Sequence, residues 1–192
     1  MKKLIVTTLL AFQLSGCAVF MESNSTSNPN NACLILKENN DWLESSYESH
    51  KKWGIPISIL LSFIKTESSF IYNARPIKEE GFFFDSYYSS AFGFSQALDG
   101  TWTEYQFLNE KPNAKRTSFA DSVDFVGWYL NRVSASSSIG KHDIYNLYLA
   151  YHEGVTGWKR KSYLKKKWLV KKAKKIEAST IEFSKQIKNC NI

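Results

Sequence analysis

The stretch IPISILLSFIKTESSFIY, Ile55 to Tyr72, decides how the rest of the chain is read. Pro56 stands near the first helical position, where its missing N–H costs nothing. Ile57, Leu60, Leu61 and Ile64 then recur at helical spacing, an apolar stripe that belongs against a core. One turn further the stripe lands on Glu67 instead of another aliphatic residue. A carboxylate on the buried face of a helix is costly unless paired or neutral, and desolvation drives its pKa upward. Such an acid can keep its proton near neutral pH and hand it to a leaving group. The competing reading is a helix-end Glu that turns to solvent or closes a structural ion pair.

Outward from this helix the chain is helical in both directions. Upstream, Cys33 to Trp53 carries Leu36, Trp42, Leu43 and Tyr47 among polar residues, and predicts one first helix. Downstream, Thr101 with Glu104 three residues on forms a capping-box pattern, which Ser118 and Asp121 repeat. Phe119, Val123, Val126, Leu130 and Val133 follow on one face. Asp143 opens another helix, with Ile144, Leu147, Tyr148 and Tyr151 on a stripe and Gly154 as its stop. Strand-like alternation is scarce; a small β-hairpin or ordered loop fits only around residues 81–90. The chain has 192 residues, 43% hydrophobic and 15% aromatic, enough for one core. The fold expected is a mainly α single domain.

The N-terminus stands apart. Lys2 and Lys3 precede an apolar run, Leu4 to Leu14, that is too short to span a bilayer. Leu14-Ser15-Gly16-Cys17 resembles the lipobox of bacterial lipoproteins, which implies cleavage before Cys17 and lipid on it. Residue 18 is Ala, so that resemblance leans toward the outer membrane, facing the periplasm. An ordinary secretory signal is the alternative. Residues 1–16 are then a signal peptide, 17–31 a lipid-anchored tether containing NSTSNPNN, and 32–192 the domain. Cys33 and Cys190 are left as an even pair near the two ends of the domain, which in an exported protein reads as a disulfide, the alternative being two free buried thiols. The disulfide would stabilise the fold by about 5 kcal/mol in the chain-entropy model.

Three segments carry polar chemistry: Glu67-Ser68-Ser69-Phe70 with Asn73-Ala74-Arg75-Pro76, then Ala91-Phe92-Gly93-Phe94-Ser95-Gln96, then Ala150-Tyr151-His152-Glu153-Gly154. In order and spacing, over residues 50 to 158, they resemble the soluble lytic transglycosylases and, more distantly, goose-type lysozymes. The resemblance implies a lysozyme-like domain that cleaves the β-1,4 MurNAc–GlcNAc bond of peptidoglycan. Glu67 would act first as acid and then as base, leaving 1,6-anhydromuramyl ends. By the same resemblance Gln96 would hydrogen-bond the sugar, Tyr151 would contact Glu67 or nearby substrate, and Ser68 would bond nearby polar groups. From the residues alone, Gln96 can equally cap a helix and Tyr151 can be a core aromatic. The chain departs from the family at Phe94-Ser95, usually Leu-Met, in the added aromatic stretch GFFFDSYY, and at His152-Glu153, usually Asn-Ala. Glu153 brings a second carboxylate; facing the cleft, it would raise the pKa of Glu67 or position a water.

The tail WKRKSYLKKKWLVKKAKK, Trp158 to Lys175, contains no acid and accounts for most of the formal charge of +7. It is expected to form a basic helix over 158–188. Residues 158–175 can contact anionic surfaces, or simply be a solvated lysine face on a packed helix. Export argues against nucleic acid as a partner. Partners expected are peptidoglycan glycan strands and, through lipid on Cys17, a membrane; the protein is expected to be a monomer. No metal-ligand spacing exists around the histidines, and no cofactor is implied. Two alternatives stay open: a non-catalytic cell-wall-binding lipoprotein with the same cleft, and a lysozyme-type muramidase hydrolysing the same bond.

Overall fold

In the computed structural model, residues 26–76, 78–79, 86–87 and 89–191 are described. The expected signal peptide, Cys17, most of the tether and the greater part of GFFFDSYY lie outside them. The described residues form seven α-helices and one short strand pair: a mainly α domain.

Helix α3, Ile57–Ser68, runs through the centre, packed against α2 (Asn40–Trp53), α5 (Phe119–Ser136) and α7 (Lys167–Lys188). The stripe residues Leu60, Leu61 and Ile64 are buried, and so are Ile59 and Phe63 on the other side, so the helix is core nearly all round. Pro56 is its N-cap. Ser69 ends it in the left-handed region at φ 52°, its N–H bonded to the carbonyl of Lys65, and Phe70 follows at φ 63°. Two successive non-glycine residues there cost about 1 kcal/mol or more each. Phe70 offsets this by burying its ring against Trp42.

The single helix expected over Cys33 to Trp53 is two: α1, Ala32–Glu38, and α2, separated at Asn39. Asn39 is buried, and its amide donates to the carbonyl of Ile35, a side-chain bond that competes with helix continuation. Leu36 and Trp42 are core residues, with Trp42 stacked on Phe119 at 4.2 Å, whereas Tyr47 is exposed. Thr26 and Ser27, in the expected tether, hydrogen-bond Glu38, so its last residues lie on α1. Cys33 and Cys190 form a disulfide, Cα–Cα 5.6 Å, that ties α1 to the end of α7.

Strands β1, Lys78–Glu79, and β2, Ser86–Tyr87, pair antiparallel. Helix α4, Asp99–Leu108, starts before Thr101, which therefore lies inside it and caps nothing. Ser118 caps α5 by accepting from the N–H of Asp121, and Asp143 caps α6, Ile144–Lys159, by accepting from Asn146. Gly154, at φ 70° and ψ 163°, is non-helical and stops the first helical piece of α6 as expected; a second piece resumes beyond this kink and runs to Lys159. The basic helix expected over 158–188 is interrupted: α6 ends at Lys159, a 3-10 turn spans Ser162–Lys165, and α7 begins only at Lys167. α7 buries Leu169, Ala173, Ile176 and Phe183 against α3 and α6. Its first turn holds lysine and no acid, the reverse of what the helix dipole favours.

Candidate active site

Glu67 sits in the last turn of α3 because the apolar stripe ends there and the left-handed pair Ser69-Phe70 turns the chain away. Its side chain is only 14% exposed. Oε1 accepts one hydrogen bond, 2.8 Å, from the hydroxyl of Tyr148 on α6, and the Nζ of Lys172 on α7 stands 4.0 Å away. Among the described residues no donor reaches the other oxygen. Burial pushes the carboxyl pKa above its ordinary value, and Lys172, the Tyr148 hydrogen bond and the charge of His152 counteract this only in part. A largely desolvated acid with one oxygen fixed by a phenol is arranged to hold a proton and deliver it.

Tyr151, one turn beyond Tyr148, does not bond Glu67. Its hydroxyl donates to the carbonyl of Ser95 at 2.7 Å, and its ring packs edge-on against Phe63 and Tyr129. Burial, then the nearby Glu67 charge, raise its pKa well above the ordinary value. Tyr151 thus ties α6 to the turn that carries Gln96.

That turn is built on Gly93, at φ 74°, whose N–H bonds the carbonyl of Ala74. A Cβ at Gly93 would come within 2.1 Å of the carbonyl oxygen of Arg116, so only glycine fits. Phe94 is fully buried against Trp42 and Phe119. Gln96, at φ 50°, spends its amide nitrogen on two carbonyls, Ala74 at 2.8 Å and Gly93 at 2.9 Å. It braces the turn following Glu67 to its own, and its carbonyl oxygen accepts no hydrogen bond among the described residues.

Gln96, Thr101, Tyr129, Tyr151, Glu153 and Gly154 line a cavity of about 280 Å³. A second, of about 450 Å³, shares Thr101, Tyr129 and Gly154 and runs on to Glu104, Arg132 and Lys159. Together they form a groove with an aromatic floor and polar rims. Glu67 is not in the lining, but its charge acts on both Tyr151 and His152 beside it. Ser68 stays away from the groove: it is buried and donates to the carbonyl of Ile64 in its own helix.

Glu153 is on the groove wall but fully engaged, its side chain 5% exposed. Lys166 donates to Oε1 at 2.6 Å, His152 Nδ1 meets the same oxygen at 3.0 Å, and Ser162 bonds Oε2. Burial alone would raise its pKa, but these donors outweigh it and hold the carboxyl down at about 2. A carboxylate already neutralised by Lys166 does not load the proton onto Glu67. Both of its oxygens already accept bonds from neighbouring side chains. It clamps the kinked end of α6 to the start of α7.

Two members of the Glu67 site went unrecognised in the sequence. Tyr148 looked like one more stripe residue; the signal was that a buried phenol needs an acceptor. Lys172 lay in a run of like residues, and only the 3.6-residue period of the tail separates it from its solvated neighbours. Among the described residues no cluster of His, Cys, Asp or Glu is disposed to hold a metal ion. A family model described as "Transglycosylase SLT domain" matches residues 5–190. No individual curated protein matches the chain.

Proposed function

Because the chain belongs to the transglycosylase SLT domain family, whose business is peptidoglycan processing, we propose that it is a lytic transglycosylase with Glu67 as its acid and base. The observation that carries this reading is the buried Glu67 carboxyl, held by Tyr148 through Oε1, with no other hydrogen bond among the described residues, at the end of the core helix and beside the groove.

In the first step Glu67 gives its proton to the O4 leaving group as the MurNAc C1–O4 bond breaks. Charge develops on the sugar as an oxocarbenium-like centre. In the second step the substrate's own C6 oxygen attacks C1, and Glu67, now a carboxylate, takes the C6 hydroxyl proton. The acid is regenerated, the product carries a 1,6-anhydro ring, and no water is consumed. Tyr148 orients the carboxyl through both steps, and Lys172 steadies it while it is charged. Gln96 offers its carbonyl to the sugar or its N-acetyl N–H, and Tyr151 holds that turn in place.

A lysozyme-type hydrolase uses a second carboxylate, for which the sequence offers Asp85, Asp99 and Glu153; Asp85 lies outside the described residues. Glu153 is consumed by Lys166, Ser162 and His152. Asp99 is 68% exposed and paired with Arg116 at 2.7 Å. Both facts favour the anhydro product over hydrolysis. The family places the protein at the cell envelope; anchoring by lipid on Cys17 is part of the proposal, and Cys17→Ser should then release the protein from the membrane fraction. Mass spectrometry of digested sacculi is the test. Anhydro ends made by the wild type and abolished in Glu67→Gln support the reading; reducing ends would make it a muramidase, and absence of fragments a binding protein.

A further inference from the structure

The exposed side of the α7 corner is built unlike the rest of the molecule. Of the six tryptophans, Trp168 is the exposed one, at 54%, and Leu164 beside it is 63% exposed. Trp168, Lys171 and Lys175 follow one another along a helix face, with Lys165 adjacent in the 3-10 turn. Lys165, Lys171 and Lys175 are exposed and have no ion-pair partner among the described residues. Like charges at this spacing repel, so folding alone gains nothing from them.

This ridge adjoins the candidate catalytic groove. The Trp168 ring meets His152, a groove residue, edge-on at 5.0 Å. Lys166, just before α7, grips Glu153 on the groove wall. Lys172, one turn after Trp168, stands 4.0 Å from Glu67. An occupant of the ridge therefore lies on whatever polymer fills the groove, and its charge must be negative.

We propose that the ridge of Trp168, Lys171 and Lys175, with Leu164 and Lys165, docks the carboxylate-bearing peptides attached to the glycan strand being cleaved. The protein thereby selects peptide-substituted strands over bare glycan. Carboxylates on the peptides pair with the lysines, and Trp168 and Leu164 cover their apolar side chains. This rests on the peptidoglycan reading above, but concerns a different surface and a different part of the substrate.

The test uses the full chain with two soluble substrates: peptide-bearing strands, and the same glycan stripped by an amidase. The wild type should cleave peptide-bearing strands at least about tenfold faster in kcat/KM at low salt, an advantage that shrinks as salt is added. In Lys165→Gln/Lys171→Gln/Lys175→Gln that advantage should vanish while the rate on stripped glycan is unchanged. Equal wild-type rates on the two substrates would overturn the ridge and leave the enzyme reading intact. Calorimetric binding of Glu67→Gln protein to both strands tests the ridge without turnover: a preference for the peptide-bearing strand supports it, and equal binding overturns it. If the triple variant loses binding to vesicles containing phosphatidylglycerol but keeps the strand preference, the ridge serves a lipid surface and the proposal fails.

Discussion

Asp124 and Glu67 are both carboxylates set into the helical core, their side chains 11% and 14% exposed. Asp124 is surrounded by donors: Trp53 Nε1 and the Tyr105 hydroxyl at 2.7 Å, Lys111 at 2.9 Å and Lys52 at 3.5 Å. Among the described residues, Glu67 has one phenol and one ammonium at 4.0 Å. Burial acts upward on both. At Asp124 the hydrogen bonds from Lys111, Tyr105 and Trp53 overcome it and hold the pKa below its ordinary value; at Glu67 they do not, and the pKa stays raised. With similar exposure, the number of donors decides which acid keeps its proton. Asp124 joins α2, α4 and α5 as a structural hub, whereas Glu67 is left under-satisfied, as a reactive acid must be.

The largest effect that tests this contrast is on turnover. Glu67→Gln should lower activity by about 10²–10⁴-fold, because proton donation is lost while the shape is kept, as measured by release of soluble muropeptides. The same variant should be more thermostable near neutral pH. A raised folded pKa means that ionisation is disfavoured in the fold, so stability falls as pH rises from 4.5 toward the folded pKa, and Gln removes that penalty. A Tm that did not rise would show Glu67 to be adequately solvated or paired.

Asp124→Ala should do the opposite: about 3–5 kcal/mol of stability lost by chemical denaturation, since the Tyr105 hydroxyl and Trp53 N–H are left without their acceptor. Its effect on turnover should follow only from the unfolded fraction.

Glu153→Gln should cost about 1–3 kcal/mol, discounted because Lys166 is 42% exposed. Glu153 has a depressed pKa, so its contribution is present above 4.5 and disappears as pH falls toward about 2. The stability difference between variant and wild type should therefore narrow over that window in an acid titration of Tm.

The smallest effect sharpens the Glu67 side. Lys172→Met removes a charge that lowers the Glu67 pKa, so the pKa should rise. Since the acid must be protonated to act, the high-pH limb of the pH–rate profile should move to higher pH. Lys172→Arg should restore its position.

What the sequence revealed followed from local rules. The Ile57–Ile64 stripe put Glu67 on a buried face, and Ser118 and Asp143 announced the helix starts they cap. Where several local signals competed, the reading went astray. Asn39 broke a helix through its own side chain, and α4 began at Asp99 ahead of a plausible Thr101 cap. The partners of Glu67 were illegible for a different reason. Tyr148 and Lys172 come from α6 and α7, far along the chain, and meet Glu67 only because those helices pack together and α7 also packs on α3. Helical periodicity gives the face a residue occupies, not which neighbour lies across from it.

The most direct measurement is a carbon NMR titration of the Glu67 and Asp124 side-chain carboxyls in one folded sample. The account predicts that Glu67 titrates above 4.5 and Asp124 below 3.8. A Glu67 carboxyl titrating at or below 4.5 would contradict it.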